Sequence, residues 1–236
     1  MTDFDGVLRR GGQGSPTQTY AMCVYATILE LASDIQFLIE RRARIGVPVL
    51  LRSLLEAYVE LLNIIKTPGY LEYRHSEYAK GKKTFIENAL KSDNPHFAQL
   101  TKNRTECEKR IKELDQVITP GFKKRTIHKR FKDVGLEDDY KSIYFRLSLD
   151  AHHDLQAIDS GHLKQGDDKG SYVITFSQEC SKRNLLDYLC LWGDIIIHSS
   201  IRLYEFCEKK ELQRQMEEKL AEFLEFWNQG ASSTTV

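Results

Sequence analysis

The sequence predicts an all-α fold, a multi-helix bundle with one small β-hairpin before its last long helix. Three observations carry that reading. The segment LLRSLLEAYVELLNII, Leu50–Ile65, is apolar nearly all round a helix. Four of the five prolines directly follow a Ser, Thr or Asn, the arrangement of a helix start. One stretch, SYVITF at 171–176, has the alternation and β-branching of a strand.

Taken in order, Ser15-Pro16 opens a helix expected over about Thr17–Arg44, with Tyr20, Ile28, Leu31, Ile35 and Leu38 as inward candidates. Gly46 and Pro48 mark a stop and a restart, so a second helix spans about Val47–Lys66. Thr67-Pro68 and Asn94-Pro95 start a third, Gly69–Lys91, and a fourth, His96–Val117. Thr119-Pro120 precedes a short basic helix near Thr126–Val134 that ends at Gly135, and a helix with two histidines follows over about Glu137–Ala157. A Gly/Asp-rich turn, Gln165–Gly170, leads into the hairpin. Ser177 then caps a last helix over about Gln178–Asn228, with a break near Lys209. Residues 1–14 and 230–236 read as disordered tails. Neither a repeat nor a linker divides the remainder, so 15–229 reads as a single helical-bundle domain.

Bulk properties narrow the function classes. Of 236 residues, 41% are hydrophobic and 29% charged, enough for a core under an ordinary polar surface. Lys+Arg and Asp+Glu both number 34, so attraction to nucleic acid must come from a local patch. No apolar run approaches the roughly 20 residues of a membrane helix, and the N-terminus lacks the apolar core of a signal peptide. The five cysteines are scattered without a C-x-x-C pair, which disfavours structural zinc and disulfides and fits reduced thiols in a cytoplasmic protein. No cofactor is indicated.

The chemistry-bearing residues sit on two helices. In the second, Arg52, Glu56, Glu60 and Asn63 recur at steps of four, four and three, one polar stripe on an apolar cylinder. So narrow a stripe favours burial of Arg52 and Glu56 at a helix seam, where they need partners. In the histidine helix the inward stripe is Tyr140, Tyr144, Leu147 and Ala151, with Ser148 and His152 on its flank and Arg146 and His153 on the far side. His152 is then a partner for Glu56, and Arg52 sits against Ser148 or Tyr144. One residue of error in helix phase exchanges His152 and His153. The single Glu-x-x-His, Glu72–His75, lacks the second copy that a di-iron bundle uses, so no metal site is expected.

The stretch Lys102–Lys132 carries eleven Lys/Arg against four acids, and Lys123, Lys124, Arg125, Lys129 and Arg130 within it form a candidate RNA-binding patch. In the last helix Leu212, Met216, Leu220, Phe223, Leu224 and Trp227 recur at helical spacing. That stripe needs burial, and a homodimer provides it most simply.

Arg-Ser-Leu-Leu-Glu at 52–56, the segment YLEYRHSEYAK at 70–80, and Tyr-x-x-Leu-Ser-x-x-x-His at 144–152 resemble an uncharacterised family of helical bacterial proteins known as a domain of unknown function. That resemblance covers roughly Thr27–Asp154 and directs attention to Arg52, Glu56, Tyr144, Ser148 and His152. More distantly, an Arg followed by a His on a late helix is similar to the HEPN superfamily. Its motif separates the two by four to six residues, and here five lie between Arg146 and His152 and six between Arg146 and His153. Leu147 stands where those members carry a polar residue. The HEPN resemblance implies an up-and-down helical core and a metal-independent endoribonuclease of prokaryotic defence or toxin–antitoxin systems. His152 would transfer the proton, Arg146 or Arg52 would clamp phosphate, and Glu56 or Ser148 would orient. Two other readings stand beside it: a non-catalytic interaction module with Arg52–Glu56–His152 as a buried network, and a small-molecule site lined by Tyr58 and Tyr144.

Overall fold

Ser15 starts the first helix as the sequence implies. Its hydroxyl accepts the Gln18 N–H at 3.2 Å, the Gln18 side chain accepts the Ser15 N–H at 3.0 Å, and Pro16 fills the first turn. Such a cap contributes about 1 kcal/mol. The computed structural model describes residues 15–151, 155–168, 171–175 and 179–232. These form α1 (Pro16–Glu40), α2 (Gly46–Lys66), α3 (Tyr70–Lys91), α4 (Ala98–Lys102), α5 (Arg104–Val117), α6 (Ile127–Asp133), α7 (Glu137–Asp139), a π-helical turn (Tyr140–Tyr144), α8 (Phe145–Ala151), α9 (Leu155–His162), β1 (Leu163–Gln165), β2 (Tyr172–Ile174), α10 (Lys182–Phe206) and α11 (Lys210–Ser232). The all-α expectation with a small hairpin is borne out. β1 and β2 pair antiparallel, Leu163 opposite Ile174 and Gln165 opposite Tyr172.

Several boundaries differ from the sequence reading, each for a local reason. Asn94 caps a 3₁₀ turn, accepting the His96 N–H at 3.0 Å, and the expected fourth helix is interrupted at Asn103. Thr119-Pro120 makes a turn closed by the Phe122 N–H rather than a helix start, while the Thr119 hydroxyl bonds Ser76 at 2.8 Å. The last helix begins at Lys182 under Ser181, not under Ser177, which lies outside the described residues. The histidine helix is divided by the π turn. And α1 is long and apolar enough to cross a membrane by length and composition, contrary to the expectation, because Glu30 and Asp34 are its only charged residues before the terminal Glu40.

The chain forms two compact units, one from the residues up to Lys66 with those from Arg130 onward, the other Thr67–Lys129. In the first, α2 packs on α1, α8 and α10, and α10 also packs on α1 and α11. Its core includes Ile28 and Ile35 from α1, Leu51, Leu54 and Leu61 from α2, Phe131, and Ile195 from α10. Two hydrogen bonds fix the seam between α1 and α10. Trp192 donates Nε1–H to the Ala32 carbonyl at 2.9 Å. Ser200 gives its proton to the Ile196 carbonyl, so Tyr25 must be the donor in its 2.7 Å bond to Ser200. In the second unit, α3 packs on α5 around Ala79, Ile86, Cys107 and Leu114.

Two helix ends carry a left-handed residue other than glycine. After α1, Arg42 has φ 54°, with its N–H bonded to the Ile39 carbonyl and the Ala43 N–H to the Leu38 carbonyl, both at 2.9 Å. Glu208 repeats the pattern after α10 at φ 56°. This is the Schellman motif, in which glycine is usual and a side chain costs roughly 1–2 kcal/mol.

Two glycines should respond oppositely to Ala. Gly81, inside α3, has open space where a Cβ would be added, so Gly81→Ala should stabilise by about 0.5–1 kcal/mol. At Gly193 an added Cβ would meet the Phe223 ring, and the overpacking, about 1–3 kcal/mol, should outweigh the helix gain. Urea unfolding of both variants measures this; a stabilised Gly193→Ala would mean that α11 yields freely.

Candidate functional site

The polar stripe of α2 meets a run of partners from Arg130 to Tyr144. Arg52 Nη2 donates to the Tyr144 hydroxyl at 2.8 Å, and that hydroxyl donates to Glu56 Oε1 at 2.8 Å. Arg52 Nε lies 3.3 Å from the same Glu56 oxygen, closing a three-membered network. One turn on, Glu60 faces Arg130 at 3.8 Å, their side chains 12% and 16% exposed. Asn63, fully buried, donates to the Arg130 carbonyl at 3.0 Å and to the Val59 carbonyl at 2.9 Å. Charges this covered persist only when matched, and here each has a partner.

Aromatic packing aims Tyr144. Its ring stacks on Tyr140 at 5.3 Å and lies 5.0 Å from buried Phe131. The Arg52 guanidinium lies 5.1 Å from the Tyr144 ring centre. Burial pushes the Tyr144 phenol up, with Arg52 opposing and Glu56 adding to the shift. A π turn ends at this residue, an element frequent at functional sites.

The remaining candidates lie elsewhere. Ser148 turns its hydroxyl back to the Tyr144 carbonyl at 2.7 Å. Arg146 is exposed, 3.9 Å from Asp187. His152 and His153 lie outside the described residues, so the pairing of His152 with Glu56 lies there too; Tyr144 takes the Glu56 carboxylate. Lys123, Lys124 and Lys129 are exposed, whereas Arg125 lies over the Tyr73 ring at 4.9 Å and Arg130 faces Glu60. Among the described residues no group of three or more His, Cys, Asp or Glu is placed to hold a metal ion. All five cysteines are free, and burial pushes the Cys180, Cys190 and Cys207 thiols up.

Sequence reasoning passed over a second cluster in the same unit. Burial raises the Asp150 carboxyl, opposed by Arg146 and Arg44. It pushes Tyr188 up to about 12, with Asp150 and Cys180 adding and both arginines opposing. Arg44 thus acts on α8 and α10 from the turn after α1. Its guanidinium lies against Gly161, where any Cβ would overlap it. The signal was present as the run Arg41-Arg42-Ala43-Arg44, which helix-boundary reasoning treats only as a helix end.

The model of a family of unknown function, DUF5677, matches residues 18–171. No curated protein and no solved structure matches the chain.

Tyr144→Phe keeps the ring stack and removes the shared hydroxyl. It should cost about 1–3 kcal/mol in urea unfolding, and an Arg52→Ala, Tyr144→Phe double-mutant cycle should show coupling; additive losses would mean the network is not energetically closed. The raised phenols set a second expectation. Unfolded tyrosines lose their proton near 10, whereas Tyr58 and Tyr188 are pushed up to about 12, chiefly by burial. Their contribution is therefore complete below pH about 10 and is lost as pH rises through 12. Tyr188→Phe should make that alkaline loss shallower in a series of urea midpoints, and an unchanged slope would remove Tyr188 as a cause.

Proposed function

The chain belongs to the DUF5677 family, whose function is unknown, and from its own residues we propose that it is a metal-independent endoribonuclease of the HEPN type. The observation that carries this reading is that Arg146 and Arg44 both oppose the burial-raised Asp150 carboxyl, at the end of the helix that leads in sequence to His152. Two guanidinium groups near one position form a phosphate clamp, since arginine binds phosphate in fork geometry. His152 is the proton-transfer group, because an imidazole titrates in the working range. It accepts the 2′-hydroxyl proton, the 2′-oxygen bonds to the adjacent phosphorus, and the P–O5′ bond breaks. A protonated group then delivers a proton to the departing 5′-oxygen. The products are a 2′,3′-cyclic phosphate and a 5′-hydroxyl, with no water consumed. On this reading Arg52, Glu56 and Ser148 leave the chemistry and hold α8 in place. RNA is the partner, Lys123, Lys124 and Lys129, exposed on the other unit, are separate candidate contacts for it, and the protein acts as a cytoplasmic homodimer in prokaryotic defence or toxin–antitoxin biology.

A second reading, a non-catalytic helical interaction module, is favoured by the Arg52–Tyr144–Glu56 network, which joins guanidinium and carboxylate through one tyrosine hydroxyl without a substrate. Single-stranded RNA incubated with the full chain in EDTA separates the two. The nuclease reading expects cyclic-phosphate ends and a fall of about 10²–10⁴-fold for His152→Ala and Arg146→Ala at unchanged circular dichroism. Absence of cleavage by the wild type, or cleavage indifferent to both substitutions, favours the interaction module.

A further inference from the structure

The turn between α1 and α2 gathers three arginines beside one cavity. Arg41, Arg42 and Arg44 lie within four consecutive positions and, with His162, line a cavity of about 320 Å³ that also includes Gly46, Gly161 and Glu179. Such a volume lies at the small end of the roughly 300–1,000 Å³ typical of ligand clefts. Glu179 is the one acid among the lining residues, paired with Arg42 at 3.1 Å where both side chains are more than half exposed. Arg41 makes no ion pair among the described residues and lies 4.1 Å over the Phe37 ring. With three guanidiniums against one carboxylate, the lining is cationic even with His162 neutral.

The backbone adds an independent argument. Arg42 holds the left-handed position that glycine fills without strain, and an exposed ion pair with Glu179 does little to offset that. The turn is nevertheless clamped from outside: the Cys180 N–H bonds the Arg42 carbonyl at 2.9 Å, and Ala43 bridges Glu179. Gly161 has no side chain, which lets the Arg44 guanidinium lie flat against it. His162 is fixed by its Nδ1–H, donated to the Thr175 carbonyl at 3.0 Å. Strained residues fixed by their surroundings cluster at binding sites.

We propose that this cavity binds the terminal phosphate of a phosphomonoester, the dianion of a nucleoside monophosphate or of a 5′-phosphorylated RNA end. The guanidiniums of Arg41, Arg42 and Arg44 supply paired N–H donors and charge matched to a dianion. A phosphodiester, with one charge and no terminal phosphate group, fits less well. The proposal shares Arg44 with the clamp proposed above, but binding is read without turnover. Loss of cleavage alone therefore leaves it standing, and loss of terminal-phosphate preference alone leaves the nuclease reading standing.

Isothermal titration of the full chain with AMP, adenosine and inorganic phosphate, and with one short RNA bearing either a 5′-phosphate or a 5′-hydroxyl, tests it. Binding of AMP but not adenosine supports the proposal and identifies a free nucleotide. Binding of the 5′-phosphorylated RNA alone supports it and identifies an RNA end. Arg42→Gly is the decisive variant: removing the strained side chain should leave the unfolding midpoint equal or higher while weakening binding by about tenfold or more. Gly161→Ala, which displaces Arg44, should weaken binding comparably at unchanged circular dichroism. No preference for a terminal phosphate over its dephosphorylated counterpart, or full affinity in Arg42→Gly, overturns the proposal.

Discussion

The burial of α2 is the constraint on which the first unit depends. Leu51, Leu54, Leu55, Val59, Leu61, Leu62 and Ile64 cover most of its circumference and pack against α1, α8 and α10. A helix so enclosed leaves its polar stripe only partly in water, with the Arg52 and Glu56 side chains 24% and 40% exposed and Glu60 12%. Arg52, Glu56, Glu60 and Asn63 are therefore answered by protein groups as well. The chain answers them with one later segment: Arg130 meets Asn63 and Glu60, and Tyr144 meets Glu56 and Arg52. Phe131, between these contacts in sequence, is fully buried and touches Tyr140 and Tyr144, so apolar and polar matching reinforce one another. The apolar burial drives the association, while the polar stripe selects its register.

Much of this was legible in the residues. The apolar cylinder of Leu50–Ile65 and its single polar stripe show that Arg52 and Glu56 need partners, and Tyr144 is one of the two predicted for Arg52. The sharing of a single tyrosine hydroxyl between guanidinium and carboxylate was not legible, because helical periodicity gives a side chain's direction but not its reach. The same limit applies to α1. Its pattern puts Tyr20, Leu31 and Leu38 inside, yet Ala21, Tyr25, Ala32 and Ile39 take the buried positions beside Ile28 and Ile35. Ile28 and Ile35 keep their expected places, while at three positions the next residue is the buried one, twice an alanine, which reads as neutral in a pattern although its small size suits a close helix approach. The break at Asn103 and the turn at Thr119-Pro120 share a cause. Capping residues mark where a helix is able to begin, and tertiary bonds such as Ser76 to Thr119 decide whether it does.

Two polar regions of this unit handle charge in opposite ways. Along the α2 stripe Arg52 is matched by Glu56 and Tyr144, and Glu60 by Arg130. Between α1 and α2, three arginines line a cavity that holds one carboxylate, Glu179, with Asp150 acting on Arg44 from outside the lining, and Arg42 occupies a conformation that glycine would adopt more easily. Burial pushes the Cys180 thiol and the Tyr188 phenol near Asp150 up, which disfavours both as nucleophiles at neutral pH and leaves the arginines there as anion-binding groups. Chemistry in this protein is therefore to be sought where charge is left over, not where it is cancelled.

The stripe on α2 also bears on how the chain reaches its native state. Asn63 and Arg130 are 67 residues apart, and Arg52 and Tyr144 are 92 apart. Each contact forms only after the excursion through Thr67–Lys129 has closed as a loop, an entropic barrier that α1–α2 pairing does not face. Until that closure, Arg52, Glu56 and Glu60 lie along an incomplete hydrophobic surface whose charges discourage it from joining the wrong neighbour. The residues that lock the finished helix are thus gatekeepers while the polypeptide is still being assembled.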